Sequence, residues 1–266
     1  MAQFKEFIDR IALVTGAGSG MGKSVALSFA REGAHIVVND VDLERANGVA
    51  REVREMGGKA LAVRGDVSRA EEVADMLDRA VKEFGTVHIL INSAGALGPS
   101  LFLEDTPEED FDRVMDINVK GVFLCCKAAT PTMKKNGYGK IVNVASTAAK
   151  RIASGAGGEY AASKAAVLSL TRTLGFELAP FGINVNAVCP GRTLTGMVVE
   201  TAEHKERLKK IPIGRYATAE DQAHAIMFLC SDMASYIVGQ AVDVDGGILL
   251  GWSDYETYAA GHKGRR

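Results

Sequence analysis

The chain has 266 residues, 47% of them hydrophobic and 24% charged, which is material for one large α/β domain or at most two small ones. Its 31 basic and 33 acidic side chains leave a net charge of −2, without the basic footprint of a nucleic-acid or anionic-membrane binder. Cys125, Cys126, Cys189 and Cys230 follow neither metal-ligand nor redox-pair spacing and the five histidines do not group with them, so no metal is expected and a cytoplasmic setting is.

Residues 1–10 hold no apolar run of signal-peptide length, and no run in the chain approaches membrane-spanning length. Ile11–Thr15 is a short apolar run that predicts a buried strand. It leads straight into a loop with Gly16, Gly18, Gly20 and Gly22, followed by a helical pattern to Arg31. A strand, a glycine turn and a helix in that order suit a phosphate: the glycines let the backbone approach, and the helix N-terminus offers free N–H groups. His35–Asn39 predicts a second strand with Asp40 just past its end, eighteen residues beyond Gly22. That is where an acid meets the adenosine ribose of a dinucleotide. A carboxylate there repels a 2′-phosphate, and the uncharged Ser19 supplies no cation for one, so NAD is expected over NADP. Asp40 also fits the N-cap of the following helix, a role for which Asp42 competes.

That helix runs to about Met56 and stops at Gly57-Gly58. Lys59–Arg64 predicts a third strand, Ser68–Phe84 a helix closed by Gly85, and Val87–Ile91 a fourth strand. The small residues Ser93, Ala94 and Gly95 then leave room for a ligand at the strand's carboxyl end. A long helix is predicted from Pro107 to about Lys135; within it Asn118 interrupts an apolar face, where a polar side chain needs a partner. Ile141–Ala145 predicts a fifth strand ending at Ser146, followed by a Gly/Ala/Ser-rich loop and a helix from near Glu159 to Ala179. Ile183–Val188 is the sixth predicted strand, Thr193–Lys210 a polar helical segment, Ala219–Ser231 the last helix and Ala241–Val244 the final strand. Strands and helices alternate without a linker or a repeat, which predicts a single doubly wound parallel sheet with helices on both faces.

Tyr160 and Lys164, four apart, share one face of their helix. An ammonium beside a phenol favours the phenolate and is expected to pull its pKa toward neutrality. Such a tyrosine exchanges protons with an alcohol or carbonyl oxygen, and Ser146 is placed to bond the same oxygen. Tyr-x-x-x-Lys by itself is also a common solvated pair; the rest of the chain gives it weight.

With these residues in place, the sequence resembles the short-chain dehydrogenase/reductase family, in its single-domain branch, from about Arg10 to Gly247. The resemblance rests on Thr15-Gly16-x-x-x-Gly20-x-Gly22, Asp66-Val67, Asn92-Ser-Ala-Gly95, Asn118, Ser146, Tyr160-x-x-x-Lys164 and Pro190-Gly191, in order and at matching spacing. It implies a Rossmann-type sheet of about seven strands and an NAD-dependent interconversion of a secondary alcohol and a ketone. Tyr160 would be the general acid/base, Lys164 its partner and a ligand of the nicotinamide ribose, Ser146 the holder of the substrate oxygen, and Asn118 the anchor of a water in a proton relay. The cofactor surface it implies comprises Thr15, Gly16, Ser19, Gly20, Met21, Gly22, Asp40, Val41, Asp66, Val67, Asn92, Ala94, Gly95, Tyr160, Lys164, Pro190, Gly191, Thr193 and Thr195. The polar segment within about 192–213 interrupts the regular alternation and is read as a substrate lid; the resemblance further implies a homotetramer, or a homodimer, built through the helices of Pro107–Lys135 and Tyr160–Ala179.

The chain departs from the family's commoner pattern at Ser93, where a second asparagine is more usual, and in a slightly longer loop from Ser146 to Tyr160 that makes Thr147 a rival for the serine's role. Nineteen residues follow Gly247, with Trp252, Tyr255 and Tyr258 among them, a tail able to cover the pocket or reach a neighbouring subunit. A 3-oxoacyl-carrier-protein (or CoA) reductase is the nearest alternative, but Asp40, Asn136 and Phe176 stand where such enzymes favour NADPH and carry carrier-binding arginines. A non-catalytic dinucleotide sensor is the more remote one.

Overall fold

The computed structural model describes residues 7–152, 155–194, 202–251 and 257–258. Its centre is a parallel sheet of seven strands in the order β3-β2-β1-β4-β5-β6-β9. These are β1 (Ile11–Val14), β2 (His35–Asp40), β3 (Ala60–Arg64), β4 (Ile89–Asn92), β5 (Gly139–Val144), β6 (Ile183–Pro190) and β9 (Ala241–Val244). A separate two-stranded pairing joins β7 (Thr193–Leu194) to β8 (Ala217–Thr218). The helices are α1 (Gly20–Arg31), α2 (Leu43–Glu55), α3 (Ala70–Phe84), α4 (Glu108–Met115), α5 (Gly121–Asn136), α6 (Gly158–Leu178), α7 (Ala202–Lys209) and α8 (Ala219–Cys230).

Alternate side chains of each strand enter opposite layers, so one strand feeds two cores. Ala12 and Val14 of β1 and Ile36 and Val38 of β2 pack with Val25 and Phe29 of α1, Val49 and Val53 of α2 and Ile226 of α8. Leu13 and Val37 point the other way, toward Met76 and Leu77 of α3, Cys125 and Met133 of α5 and Val167 of α6. This two-sided burial is why the strands read as continuous apolar runs. All four cysteines are free and buried within these layers. Among the described residues no helix is long and apolar enough to cross a membrane.

The predicted helix from Pro107 to Lys135 is two helices. Between α4 and α5, Asp116–Lys120 forms one turn of wider π-helix, in which the Gly121 N–H reaches back to the Asp116 carbonyl. Such turns accommodate one extra residue in a helix and commonly sit at functional sites. Here the widened turn carries Asn118, which is fully buried. The polar segment read as helical over Thr193–Lys210 is also divided, with β7 at its start and α7 further on. In the two helices expected to build a subunit interface, Val122 and Val167 belong to the core and Leu124, Leu168 and Leu174 pack against it. Phe123 on the first of these helices stays 45% exposed, and Phe176 on the second, where a carrier-binding arginine would stand, 85%. Trp252 and Tyr255 lie outside the described residues.

Candidate active site

The strand order reverses between β1 and β4, and a crevice opens at the carboxyl ends of those strands. Two adjoining clefts occupy it. The smaller, about 390 Å³, is lined by Gly16, Ser19, Gly20, Met21, Gly22, Asn39, Asp40, Val41, Gly65, Asp66, Val67, Ser93, Ala94, Gly95 and Ile117. The larger, about 990 Å³, is walled by Ser146, Thr147, Ala148, Tyr160, Lys164, Pro190, Gly191 and Thr193, with Leu97, Arg151, Arg192, Glu206, Arg207, Lys210 and Ile248 among its other contacts. Met21, Ser93 and Gly95 border both, so the two form one continuous groove.

The smaller cleft is built on glycine. Gly16 adopts φ +62°, and a side chain there would meet the Ala94 Cα at 2.8 Å. A side chain at Gly22 would strike the Gly16 carbonyl, so the turn packs against itself and against the end of β4. Ser19 precedes α1 in extended conformation without capping it, and no acid occupies the helix's first turn. The N–H groups of that turn therefore face the cleft with no side-chain acceptor of the helix's own. Asp40, buried as the last residue of β2, braces the same loop: Oδ2 accepts from the Gly18 N–H at 3.0 Å and Oδ1 from the Asp42 N–H at 3.1 Å. The N-cap of α2 is Asp42, whose Oδ1 accepts from the N–H groups of Glu44 and Arg45. The cap role left open for Asp40 thus belongs to Asp42. Asp66 Oδ1 accepts from the N–H and hydroxyl of Ser68, turning the chain at the far end of the cleft.

The donor set fits a dinucleotide. A glycine cradle that a Cβ would fill, an uncapped helix start and a carboxylate at the end of β2 are the groups that receive a pyrophosphate and an adenosine ribose.

In the larger cleft, Ser146 follows β5 by two residues and its Oγ accepts from the Ala148 N–H at 3.1 Å. The expectation that Lys164 lowers the Tyr160 pKa is not met in the chain by itself. Burial raises the phenol above its ordinary value, and the hydrogen bond with Ser146 opposes that rise. The ammonium of Lys164 is turned to the end of β5, donating to the Val144 carbonyl at 2.8 Å, and lies 5.6 Å from the centre of the Tyr160 ring. Burial holds Lys164 itself down at about 8, with the nearby Cys189 acting in the opposite sense.

Asn118 stands behind this pair and does not line the groove. Its Oδ1 accepts from the Ala96 N–H at 2.8 Å, and its Nδ2 donates to the Ala96 carbonyl at 3.0 Å and to Ser163 Oγ at 2.9 Å. The Ser163 hydroxyl in turn donates to the Tyr160 carbonyl at 2.7 Å. The widened turn, the loop after β4 and the helix of Tyr160 are thereby tied together. Sequence reading missed Ser163, although a serine inside the Tyr-x-x-x-Lys turn was the available signal. It also missed Asn143, whose amide bridges Asn92 at 2.8 Å and Thr171 at 2.9 Å; a polar residue inside an apolar strand was the signal there.

The side chains of two residues expected to contact the cofactor are engaged within the fold. The Thr15 hydroxyl accepts from the N–H groups of Ser93 and Ala94, fixing the glycine turn to the loop after β4. The Asn92 amide faces inward, donating to Asn143 and to Cys126 Sγ at 3.3 Å. Both side chains are buried, and Asn92 Oδ1 has no hydrogen-bond partner among the described residues. Thr195 lies outside the described residues.

Glu159, beside Tyr160, is 3% exposed, and its Oε1 has no hydrogen-bond partner among the described residues. It sits where side chains on Gly98 or Gly157 would collide with its carboxylate.

Comparison with known proteins agrees with this geometry. A family model described as enoyl-(acyl carrier protein) reductase matches residues 16–249. The 7alpha-hydroxysteroid dehydrogenase of Escherichia coli K12 is 40% identical over 243 residues, 90% of this chain and 93% of that one. The 3-oxoacyl-[acyl-carrier-protein] reductase FabG of Staphylococcus epidermidis is 37% identical over 248 residues, 91% of this chain and all of that one. A crystal structure of NAD+-bound xylitol dehydrogenase superposes with a TM-score of 0.85 at 32% identity, covering 91% of this chain and 100% of its own. With the glycine turn, the seven-stranded order and the Ser146, Tyr160 and Lys164 side chains on one cleft wall, the chain belongs to the short-chain dehydrogenase/reductase family, NAD(P)-dependent oxidoreductases of hydroxyl and keto groups.

Proposed function

We propose that the protein interconverts a secondary alcohol and a ketone with NAD as its preferred cofactor, Tyr160 serving as the general acid/base. The observation that carries this reading is the convergence of Ser146, Tyr160 and Lys164 on one cleft continuous with the glycine-lined one. When bound, the nicotinamide supplies the hydride chemistry and, in its oxidised form, a positive charge.

The chain's own residues orient the substrate and move the proton. Ser146 Oγ bonds the substrate oxygen, and Tyr160 Oη takes the hydroxyl proton in oxidation and returns it in reduction. Lys164 positions the nicotinamide ribose, its ammonium held at the end of β5 by the Val144 carbonyl. Asn118 keeps its relay role as part of this proposal, acting from behind through Ala96 and Ser163. Asp40 is the basis for NAD: a buried carboxylate on the cleft wall receives ribose hydroxyls and repels a 2′-phosphate. Arg45, the nearest cation along α2, is held by Asp42 at 3.2 Å. Gly16, Ser19, Gly20, Met21, Gly22, Val41, Asp66, Val67, Ala94, Gly95, Pro190, Gly191 and Thr193 complete the surface for the dinucleotide.

We further read 192–213, of which 195–201 lie outside the described residues, as a lid, because Arg207 and Lys210 line the cleft. The exposed Phe123 and Phe176 suit a homotetramer, which light scattering tests directly.

The test of the reaction is reduced-cofactor absorbance with NAD and with NADP against secondary alcohols, beside the variants Tyr160→Phe and Asp40→Ser. Tyr160→Phe should lower kcat about 10²- to 10⁴-fold. Asp40→Ser should shift preference toward NADP. Turnover that survives Tyr160→Phe would remove the mechanism, and activity with NADP alone in the parent would remove the role of Asp40.

A further inference from the structure

Ser146 is held by more than its own strand. The chain after it makes one tight turn, Thr147–Ala149. In it the Ala149 N–H donates to the Ser146 carbonyl at 3.1 Å and the Lys150 N–H to the Thr147 carbonyl at 3.0 Å. The two residues that leave this turn are both tied to the end of β9, the edge strand of the sheet. Lys150 Nζ donates to Asp243 Oδ1 at 2.6 Å, and Arg151 Nη1 to the Ile248 carbonyl at 2.6 Å. Asp245 braces the chain behind Asp243, accepting from the N–H groups of Gly247 and Leu249. Cys189, which pairs with Asp243 across β6 and β9, is fully buried, and its thiol contacts both the Asp243 carboxylate and the Ser146 backbone.

Partial burial works against the Lys150 ammonium, yet the hydrogen bond to Asp243, with the surrounding negative charge, more than offsets it and raises the lysine above its ordinary value. The two side chains keep 30% and 36% of their exposure, and an ion pair so placed adds little to the stability of the whole fold. Neither side chain lines the larger cleft, whereas Ser146, Thr147 and Ala148 do.

We propose that the Lys150–Asp243 ion pair positions Ser146, fixing from the edge strand the turn whose first residue presents its hydroxyl to the substrate oxygen. This rests on the alcohol/ketone reading, in which Ser146 and Tyr160 bond the same oxygen. Lys150 and Asp243 are positioning residues: they act through the turn and touch neither substrate nor cofactor. A displacement of about 1 Å in a group that orients a reacting atom can cost about a hundredfold in rate. One released tie, with the turn's own hydrogen bonds intact, should cost about three- to tenfold.

The test uses Lys150→Met, Asp243→Asn, the two together, and Lys150→Arg. NAD reduction with cyclohexanol, 2-octanol and 2,3-butanediol reads kcat and KM. Amide hydrogen exchange over Ala148–Arg151, with neither alcohol nor dinucleotide present, reads the turn by itself. Each neutral single variant should lower kcat about three- to tenfold, leave KM for NAD unchanged and speed exchange in the turn by a similar factor. Its melting temperature should stay within about 4 °C of the parent. The double variant should be no worse than the poorer single, because one interaction is lost only once. Lys150→Arg, which keeps the ion pair, should retain most of kcat. Charges acting directly on the reacting centre would instead move kcat in opposite directions in the two singles and return it to the parent level in the double. That pattern, losses that simply add, or kcat and exchange that both stay unchanged would overturn the proposal. Faster exchange in the variants, with none of the alcohols oxidised by the parent, would count against the reaction and leave the hold on the Ser146 turn standing.

Discussion

Replacing Lys164 with methionine should make the protein more stable at neutral pH while abolishing its turnover. The lysine is 5% exposed, and burial depresses it from 10.5 to about 8. Between those values the unfolded chain holds a proton that the native chain has released, so native stability rises with pH across that window. Below pH 8 the native lysine is charged and the full cost is carried, about 3 kcal/mol for a depression of this size. Methionine, of similar length and uncharged, removes that cost but loses the 2.8 Å bond to the Val144 carbonyl, worth about 1–2 kcal/mol. The net gain at pH 7 is about 1–2 kcal/mol. Urea unfolding of both proteins without dinucleotide, at pH 7 and near pH 10, measures it. The gain should vanish or reverse at the higher pH, where the parent lysine no longer carries its charge. A variant less stable than its parent at pH 7, or a difference that does not change with pH, would refute the reasoning. A positive result would mean that Lys164 is kept for chemistry at the expense of stability.

Three other perturbations follow from the packing. Asn118→Ala removes the bonds to both polar groups of Ala96 and to Ser163, and should cost about 2–4 kcal/mol in thermal or urea unfolding, with kcat falling further than KM changes. Gly22→Ala drives a methyl group into the Gly16 carbonyl; dinucleotide affinity, read by fluorescence of the reduced cofactor, should drop about tenfold or more while the sheet remains folded. Gly98→Ala collides with the buried Glu159 carboxylate and should raise KM through the displaced loop after β4. Adding Glu159→Ala should restore it in part, whereas two independent sites would give additive losses.

Much of the fold is legible in the sequence because both its periodicities and its punctuation are local. Apolar runs such as Ile36–Val38 announce strands buried on two faces, and the glycines after Val14 announce a turn that only they can make. The tyrosine and lysine of α6 are brought together by helix geometry alone, and the distance of Asp40 from Gly22 is fixed by one β-α-β unit. These features need no knowledge of distant residues.

What the sequence could not decide is how buried polar groups pair across the fold. Thr15 and Asn92 look like cofactor ligands in the motif, yet their side chains are consumed by the loop after β4 and by Asn143, seventy-eight and fifty-one positions away. The break between α4 and α5 is marked only by Gly121 at its end; the widened turn accompanies an Asn118 whose partners, Ala96 and Ser163, arrive from two other elements. The spacing of Tyr160 and Lys164 suggests a lowered phenol pKa, whereas burial, a property of the assembled fold, raises the phenol and depresses the lysine. Arg151, Arg192, Arg207 and Lys210 likewise come from separate stretches of sequence, and only the tertiary structure sets them along the larger cleft. Local pattern determines the elements and the motif; desolvation and long-range hydrogen bonding, which depend on what surrounds each group in space, decide the chemistry of the groups they carry.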